Sequence, residues 1–128
     1  MAKSVLLVGL DPYKIDFSDS AYSTFPDLTA SKIQKQLELD ESTLNKLGYD
    51  AELCLTPVDT IAAAQIIIPR LKAKAYDCVM IGAGVRMITS NFLMFEALVN
   101  LVHEHAPQAK FAFNTRPDNT ADAVKRWI

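Results

Sequence analysis

The residues of this chain best suited to chemistry stand where apolar runs end. In DCVMIGAGVR, the run Asp77 to Ile81 breaks into Gly82, Ala83, Gly84 and Val85 before reaching Arg86. Glycines one residue apart suit backbone that approaches a ligand or turns through positive φ. The guanidinium just beyond is a bidentate donor for carboxylate or phosphate, and a charge-assisted bond of that kind contributes about 1.5–3 kcal/mol. Arg86 is therefore expected either to face an anion or to pair with Glu96 or a loop aspartate. Asp11 and Pro12 follow an earlier run, Thr56 ends another, and Asn114, Thr115 and Arg116 close the last. Asp11 stands where a carboxylate could serve as a base, and with Pro12 it is equally an ordinary turn former. Asn114 and Thr115 offer neutral hydrogen bonds; Arg116 repeats the two readings of Arg86, with surface exposure favoured.

Other patterns point to less. His103-Glu104-His105 suggests a zinc site, yet residues two apart on a helix diverge by about 200°, whereas HExxH puts both imidazoles on one face. Glu96, Asn100 and His103 share a face and read as the solvent side of their helix. Asp16, Asp19 and Asp27 lack calcium-loop spacing, so no metal is expected. Cys54 and Cys78 lie inside apolar runs and read as buried, reduced thiols. GAGVRM has Met87 where the third glycine of a dinucleotide fingerprint belongs, and it follows the third run rather than the first. No hydroxyl-rich loop follows the first run, no aspartate ends the third, and neither G-x-S-x-G nor G-x-x-x-x-G-K occurs. Flavin, phosphoryl-acceptor, hydrolase and nucleotide-triphosphatase readings fall away with them, and no cofactor is expected.

Four strand-like runs position these residues: Val5 to Leu10, Ala51 to Thr56, Cys78 to Ile81 and Lys110 to Asn114. Each is followed by a helical pattern, and the first and third are continuously apolar, as strands covered on both faces must be. Thr29 is a natural helix cap, with Leu28 and Ile33 spaced as a hydrophobic staple and Gly48 as the stop. In TPVD, Thr56 is expected to cap the second helix, with Pro57 in its first turn and Asp59 as a capping-box acid. Pro69 should kink or break that helix. Ser90 opens a third helix, 90–106, apolar on more than one face. A short last helix is expected from about Thr120 to Ile128, with Asn119 as cap. Residues 11–28 form a long aromatic-rich loop that would hang over the carboxyl edge of the sheet.

The chain has 128 residues, half of them hydrophobic, and a formal net charge of -2. That length supports a single domain with its own core. Its basic residues are scattered, so no nucleic-acid partner is expected. The first apolar run is too short for a signal or a membrane span, and a cytoplasmic location follows as the expectation.

Taken together, GLDP, LGYDAELCL, YDCVMIGAGVR and FNTRP resemble a family of short, uncharacterised microbial α/β proteins. That resemblance implies a flavodoxin-like or Rossmann-like fold and no established activity. The expected architecture is a three-layer αβα sandwich with a four-stranded parallel sheet in the order 2-1-3-4 and right-handed crossovers. This order separates Cys54 from Cys78. In such sheets ligands sit outside the carboxyl ends of the strands. The leading expectation is a small anionic metabolite at that edge, held by the turn from Gly82 to Arg86 with Asp11, Pro12, Thr56, Asn114, Thr115 and Arg116. The alternatives are a homodimeric interaction module built on helix 90–106 and a small hydrolase- or isomerase-type enzyme using Asp11.

Overall fold

In the structure, a computed structural model describing residues 2–128, four parallel strands form one sheet in the order β2-β1-β3-β4. They are β1 (Ser4–Leu10), β2 (Asp50–Thr56), β3 (Cys78–Ile81) and β4 (Lys110–Phe113). The register pairs Val5 with both Ala51 and Cys78, and Cys78 with Lys110. Five helices connect or follow them: α1 (Ala30–Lys46), α2 (Thr60–Ala73), the single turn α3 (Ala83–Arg86), α4 (Phe92–His105) and α5 (Thr120–Lys125).

Alternation along β1 divides the core between two faces. Leu6, Val8 and Leu10 pack with Ala63, Ile67 and Leu71 of α2 and Leu98 and Val102 of α4. Val5 and Leu7 face the other way, toward Leu44 of α1 and Ala123 and Val124 of α5. Helices thus cover both sides of the sheet, the three-layer α/β arrangement of flavodoxin-like and Rossmann-like folds. All seven β1 residues are buried, which explains why this run is continuously apolar. Cys54 and Cys78 are free and buried, and burial pushes the Cys78 thiol up to about 12. Among the described residues, no helix is long and apolar enough to cross a membrane.

Side chains cover the β2 edge of the sheet. On the outer side of β2, the Ala51 N–H donates to Asn45 Oδ1 at 2.8 Å while Asn45 Nδ2 donates back to the Ala51 carbonyl at 3.2 Å. The Leu53 N–H donates to Glu41 Oε2 at 2.8 Å. Side chains of α1 therefore occupy backbone groups that would otherwise template another strand. On the opposite face of β2, beside α2, Glu52 accepts from Arg70, Lys74 and the Tyr76 hydroxyl. The tyrosine hydrogen bond is the main reason the Glu52 carboxyl is held below its usual range.

Several local expectations need correction. Asp59, not Thr56, caps α2, accepting from the Ala62 N–H at 2.9 Å; the helix starts at Thr60, so Pro57 lies before it. Thr56 is still the last residue of β2, so its backbone is committed to the ladder and its hydroxyl donates to the Pro57 carbonyl. Pro69 does not break α2, which runs unbroken to Ala73. Gln65, whose carbonyl the proline leaves without its usual donor, lies on the exposed face where water can serve it. The helix expected from Ser90 begins at Phe92, because residues 89–91 form a 3-10 turn. Asn119 caps nothing in α5; its side chain turns back to accept from the Thr115 and Arg116 N–H groups. Thr29 does cap α1, and Gly48 ends that turn with φ of 98°, the only positive φ among the described residues.

Candidate functional site

The expected ligand turn after β3 proves to be closed on itself. Gly82 adopts φ -69° and ψ 155°, ordinary extended backbone, so neither it nor Gly84 supplies a left-handed conformation. The Ala83 N–H donates to Asn114 Oδ1 at 2.8 Å, and the Val85 N–H returns to the Gly82 carbonyl at 3.1 Å. Val85 itself is buried in the core. Arg86 does not pair with Glu96: among the described residues it makes no ion pair, and its Nη2 donates to the Asn114 carbonyl. Its Nε is buried without a partner. Guanidinium and amide thus hold β4 against the turn after β3.

Asn114 is the hub of that corner. It is 4% exposed, and its Nδ2 donates to the Thr120 hydroxyl at 3.0 Å. Thr120 in turn donates to Asp40 Oδ2 at 3.1 Å, and Gln36 Nε2 donates to Asp40 Oδ1 at 2.9 Å. A chain of hydrogen bonds therefore runs from α1 through the first residue of α5 to the turn after β3. Burial raises the Asp40 carboxyl above its usual range, against the pull of the bonds from Gln36 and Thr120. Asp40 had no sequence signal, since it is a polar residue within a helix whose apolar positions read as the packed face.

The remaining expected residues are placed as follows. Asp11 accepts from the Tyr13 N–H at 3.0 Å and so caps a 3-10 turn, while its own N–H donates to the Thr56 carbonyl at 2.8 Å. Pro12, the first residue of that turn, is buried. Thr115 and Arg116 are exposed, and Arg116 pairs with Asp118 at 2.9 Å. The ladder and these bonds bring Asp11 beside Thr56, and Ala83 and Arg86 beside Asn114.

A concavity lies next door. A cleft of about 310 Å³ is bounded by Lys14, Ile15, Asp16, Asp19 and Tyr22 from the connection after β1, Val58 from that after β2, and Ser90 and Asn91 from that after β3. Because all strands are parallel, these three connections share the carboxyl edge. The 11–28 loop forms one wall with two 3-10 turns, capped by Asp11 and Asp19, and Phe17 packs edge-on against Tyr22 at 5.3 Å. Ser90 donates to Asp19 Oδ2 at 3.3 Å across the cleft. Asp16 accepts the Ser18 hydroxyl at 2.6 Å and the Ser18 N–H at 3.0 Å, which lowers its carboxyl below the usual range. Tyr22 shifts the opposite way, through burial first and then the Asp19 charge.

Asn91 forms the inner wall. It is 6% exposed, and its Nδ2 donates to the Gly84 carbonyl at 3.1 Å. That bond fixes the amide's orientation, since the reverse would set two oxygens against each other. Among the described residues no protein group donates to its Oδ1, which is open to water rather than buried without a partner. Sequence reasoning named none of the eight lining residues as a ligand contact, although loop 11–28, which holds five of them, is expected over this edge. The length and aromatic content of 11–28 were the available signal for one wall; Ser90 and Asn91, read as a helix start, gave none.

The fold and this edge define an α/β protein of the flavodoxin-like or Rossmann-like architecture with an open cleft at the carboxyl end of its sheet. No protein-family model matches the chain, and no curated protein is similar to it in sequence.

Proposed function

We propose that this protein binds a small polar metabolite in the cleft under the 11–28 loop. The observation that carries this reading is Asn91, a nearly buried amide that lines the cleft with an unused acceptor. With its Nδ2 committed to Gly84, a ligand that supplies a donor can bond Asn91 in place of water. The cleft's volume lies at the lower end of small-molecule sites. The expected anion site at Arg86 loses support, because that guanidinium already serves Asn114. A cytoplasmic setting without a nucleic-acid partner belongs to the same reading; the reduced, buried thiols and net charge of -2 agree with it.

The test is an amide-resolved NMR titration of the wild-type chain with a library of small polar compounds. Saturable shifts at Ile15, Val58, Ser90 and Asn91 that vanish in Asn91→Leu are the expected result. Shifts centred on Arg86, Asn114 and Arg116 with anionic compounds would move the site to the closed corner instead.

A second reading, self-association through α4, is favoured by Phe92 and Leu93, which are 55% and 75% exposed at the start of that helix. Beside them a shallow groove is lined by Phe92, Phe95, Glu96, Val99 and Asn100. Sedimentation of the wild type and of Leu93→Glu decides it: a dimer that dissociates in the variant supports this reading, and a monomeric wild type ends it.

A further inference from the structure

We infer that β4 pairs edge to edge with β4 of a second copy, antiparallel about a two-fold axis at Phe111, so that two sheets become one. Asn45 and Glu41 occupy the outer backbone groups of β2, whereas the opposite edge is left open. The Lys110 N–H donates to the Asp77 carbonyl, so Lys110 and Ala112 turn their backbone groups toward β3 and those of Phe111 and Phe113 point outward. Among the described residues, nothing donates to the Phe111 carbonyl or accepts from the Phe111 and Phe113 N–H groups. Two other outward groups are already taken: the Phe113 carbonyl accepts from Arg126 Nη2 at 2.8 Å, and the Ala109 N–H donates to the Ala106 carbonyl at 3.0 Å. An axis at Phe111 matches that pattern. Phe111 then exchanges both its hydrogen bonds with Phe111 of the second copy, and the Phe113 N–H donates to the second copy's Ala109 carbonyl. The bond this ladder leaves out, from Ala109 N–H to Phe113 carbonyl, joins the two groups the chain satisfies internally. Moving the axis by one residue either way would call on one of those occupied groups.

The helical layer agrees in shape and charge. Phe95 packs edge-on against Phe113 at 5.8 Å, and Phe113 stacks on Phe111 at 5.9 Å. Strands rise about 3.3 Å per residue and helices about 1.5 Å, so Phe111 is level with α4 about four residues beyond Phe95, at Val99 and Asn100. The axis sets two antiparallel α4 flanks face to face there. Glu96 comes level with His103 of the second copy; both are exposed, and a carboxylate meets an imidazole rather than its like. The groove lined by Phe92, Phe95 and Val99 lies on the same flank and is covered. On the other face of the sheet, Lys110 stands opposite Ala112 of the second copy, which keeps the ammonium groups apart. Leu93 projects about 160° round the helix from Phe95, so this interface stands apart from a contact through Leu93.

Sedimentation equilibrium of the full chain tests it, and the wild type is expected to be a dimer. Phe111→Pro removes the N–H at the axis from a position where an edge strand tolerates proline. It should weaken dimerisation at least tenfold while the circular dichroism spectrum is kept. His103→Glu sets a carboxylate against Glu96 and should also weaken the dimer; adding Glu96→Lys to that variant should restore it. Leu93→Glu should remain dimeric. A monomeric wild type overturns the inference. A dimer that survives in folded Phe111→Pro does so too, because it does not use the strand. A dimer lost in Leu93→Glu but kept in Phe111→Pro moves the contact to the start of α4. If Phe111→Pro does not fold, the charge exchange decides: recovery in the double variant supports the pairing, and no recovery refutes it.

Discussion

Replacing Asn114 with alanine tests whether the corner after β3 is structural. The change removes the acceptor of the Ala83 N–H, bonded at 2.8 Å, and the donor to the Thr120 hydroxyl, bonded at 3.0 Å. Asn114 is almost fully buried, so water does not readily replace either partner. Stranding the Ala83 N–H costs about 1–3 kcal/mol, and losing the second bond about 0.5–1.5 kcal/mol, since Thr120 keeps its bond to Asp40. The total of about 2–4 kcal/mol corresponds to a Tm lower by roughly 6–15 °C for a chain of this size. Thermal and urea unfolding at neutral pH measure it. Asn114→Asp keeps the acceptor for Ala83 but turns a second carboxylate toward the Thr120–Asp40 pair. It should be destabilised at pH 7 and recover as the pH falls toward 4. A Tm loss below roughly 2 °C in Asn114→Ala, or an increase, would refute the structural assignment and restore Asn114 as a ligand residue, because binding residues are often held at a cost to stability.

Asp40 carries a carboxyl raised by burial, so its contribution to stability is present below the unfolded pKa of about 3.9 and is lost as pH rises through the higher folded value. Asp40→Asn is therefore expected to be neutral or stabilising by up to about 1 kcal/mol at pH 7, with the gap to wild type closing near pH 4 in urea titrations. Asn45→Ala removes both bonds to Ala51 and should cost about 1–2 kcal/mol while exposing the β2 edge, seen as concentration-dependent scattering on mild heating. Pro69→Ala should restore a helical N–H to α2 and raise stability by about 1–2 kcal/mol after the looser unfolded chain is counted; an unchanged or lower Tm would show that the helix depends on the proline. Tyr76→Phe removes the bond that lowers the Glu52 carboxyl, a contribution present above the ordinary glutamate range and lost as pH falls through the folded value. Discounted for the exposure of Glu52, the loss should be about 1 kcal/mol at pH 7 and should fade below pH 4.

The fold was legible because each part of it follows from local composition. Val5 to Leu10 had to lie between two helical layers, since an alternating strand would have sufficed for one. Strand-helix alternation required parallel neighbours and crossovers of one hand, and the cysteine positions in β2 and β3 then fell on separate strands. Caps were legible where one residue competed, as at Thr29, and misread where two did: Thr56 and Asp59 both suit the role, and the ladder claimed the first. Pro69 was misread because its cost depends on whether the orphaned carbonyl faces water or core.

What the sequence by itself determined is the sheet, its order and the edge at which a ligand would meet it, because hydrophobic period and connection handedness act over a few residues at a time. The occupation of that edge was decided only by tertiary structure. Arg86 and Asn114 look like ligand residues until residues 28 apart meet and the Asn114 carbonyl takes one guanidinium donor. Asn91 looks like the start of a helix until the Gly84 carbonyl takes its amide nitrogen and the fold sets the residue in the wall of a cleft. Hydrogen-bond capacity is a property of the residue type; whether any of it remains free depends on which distant groups the fold brings within 3 Å or so.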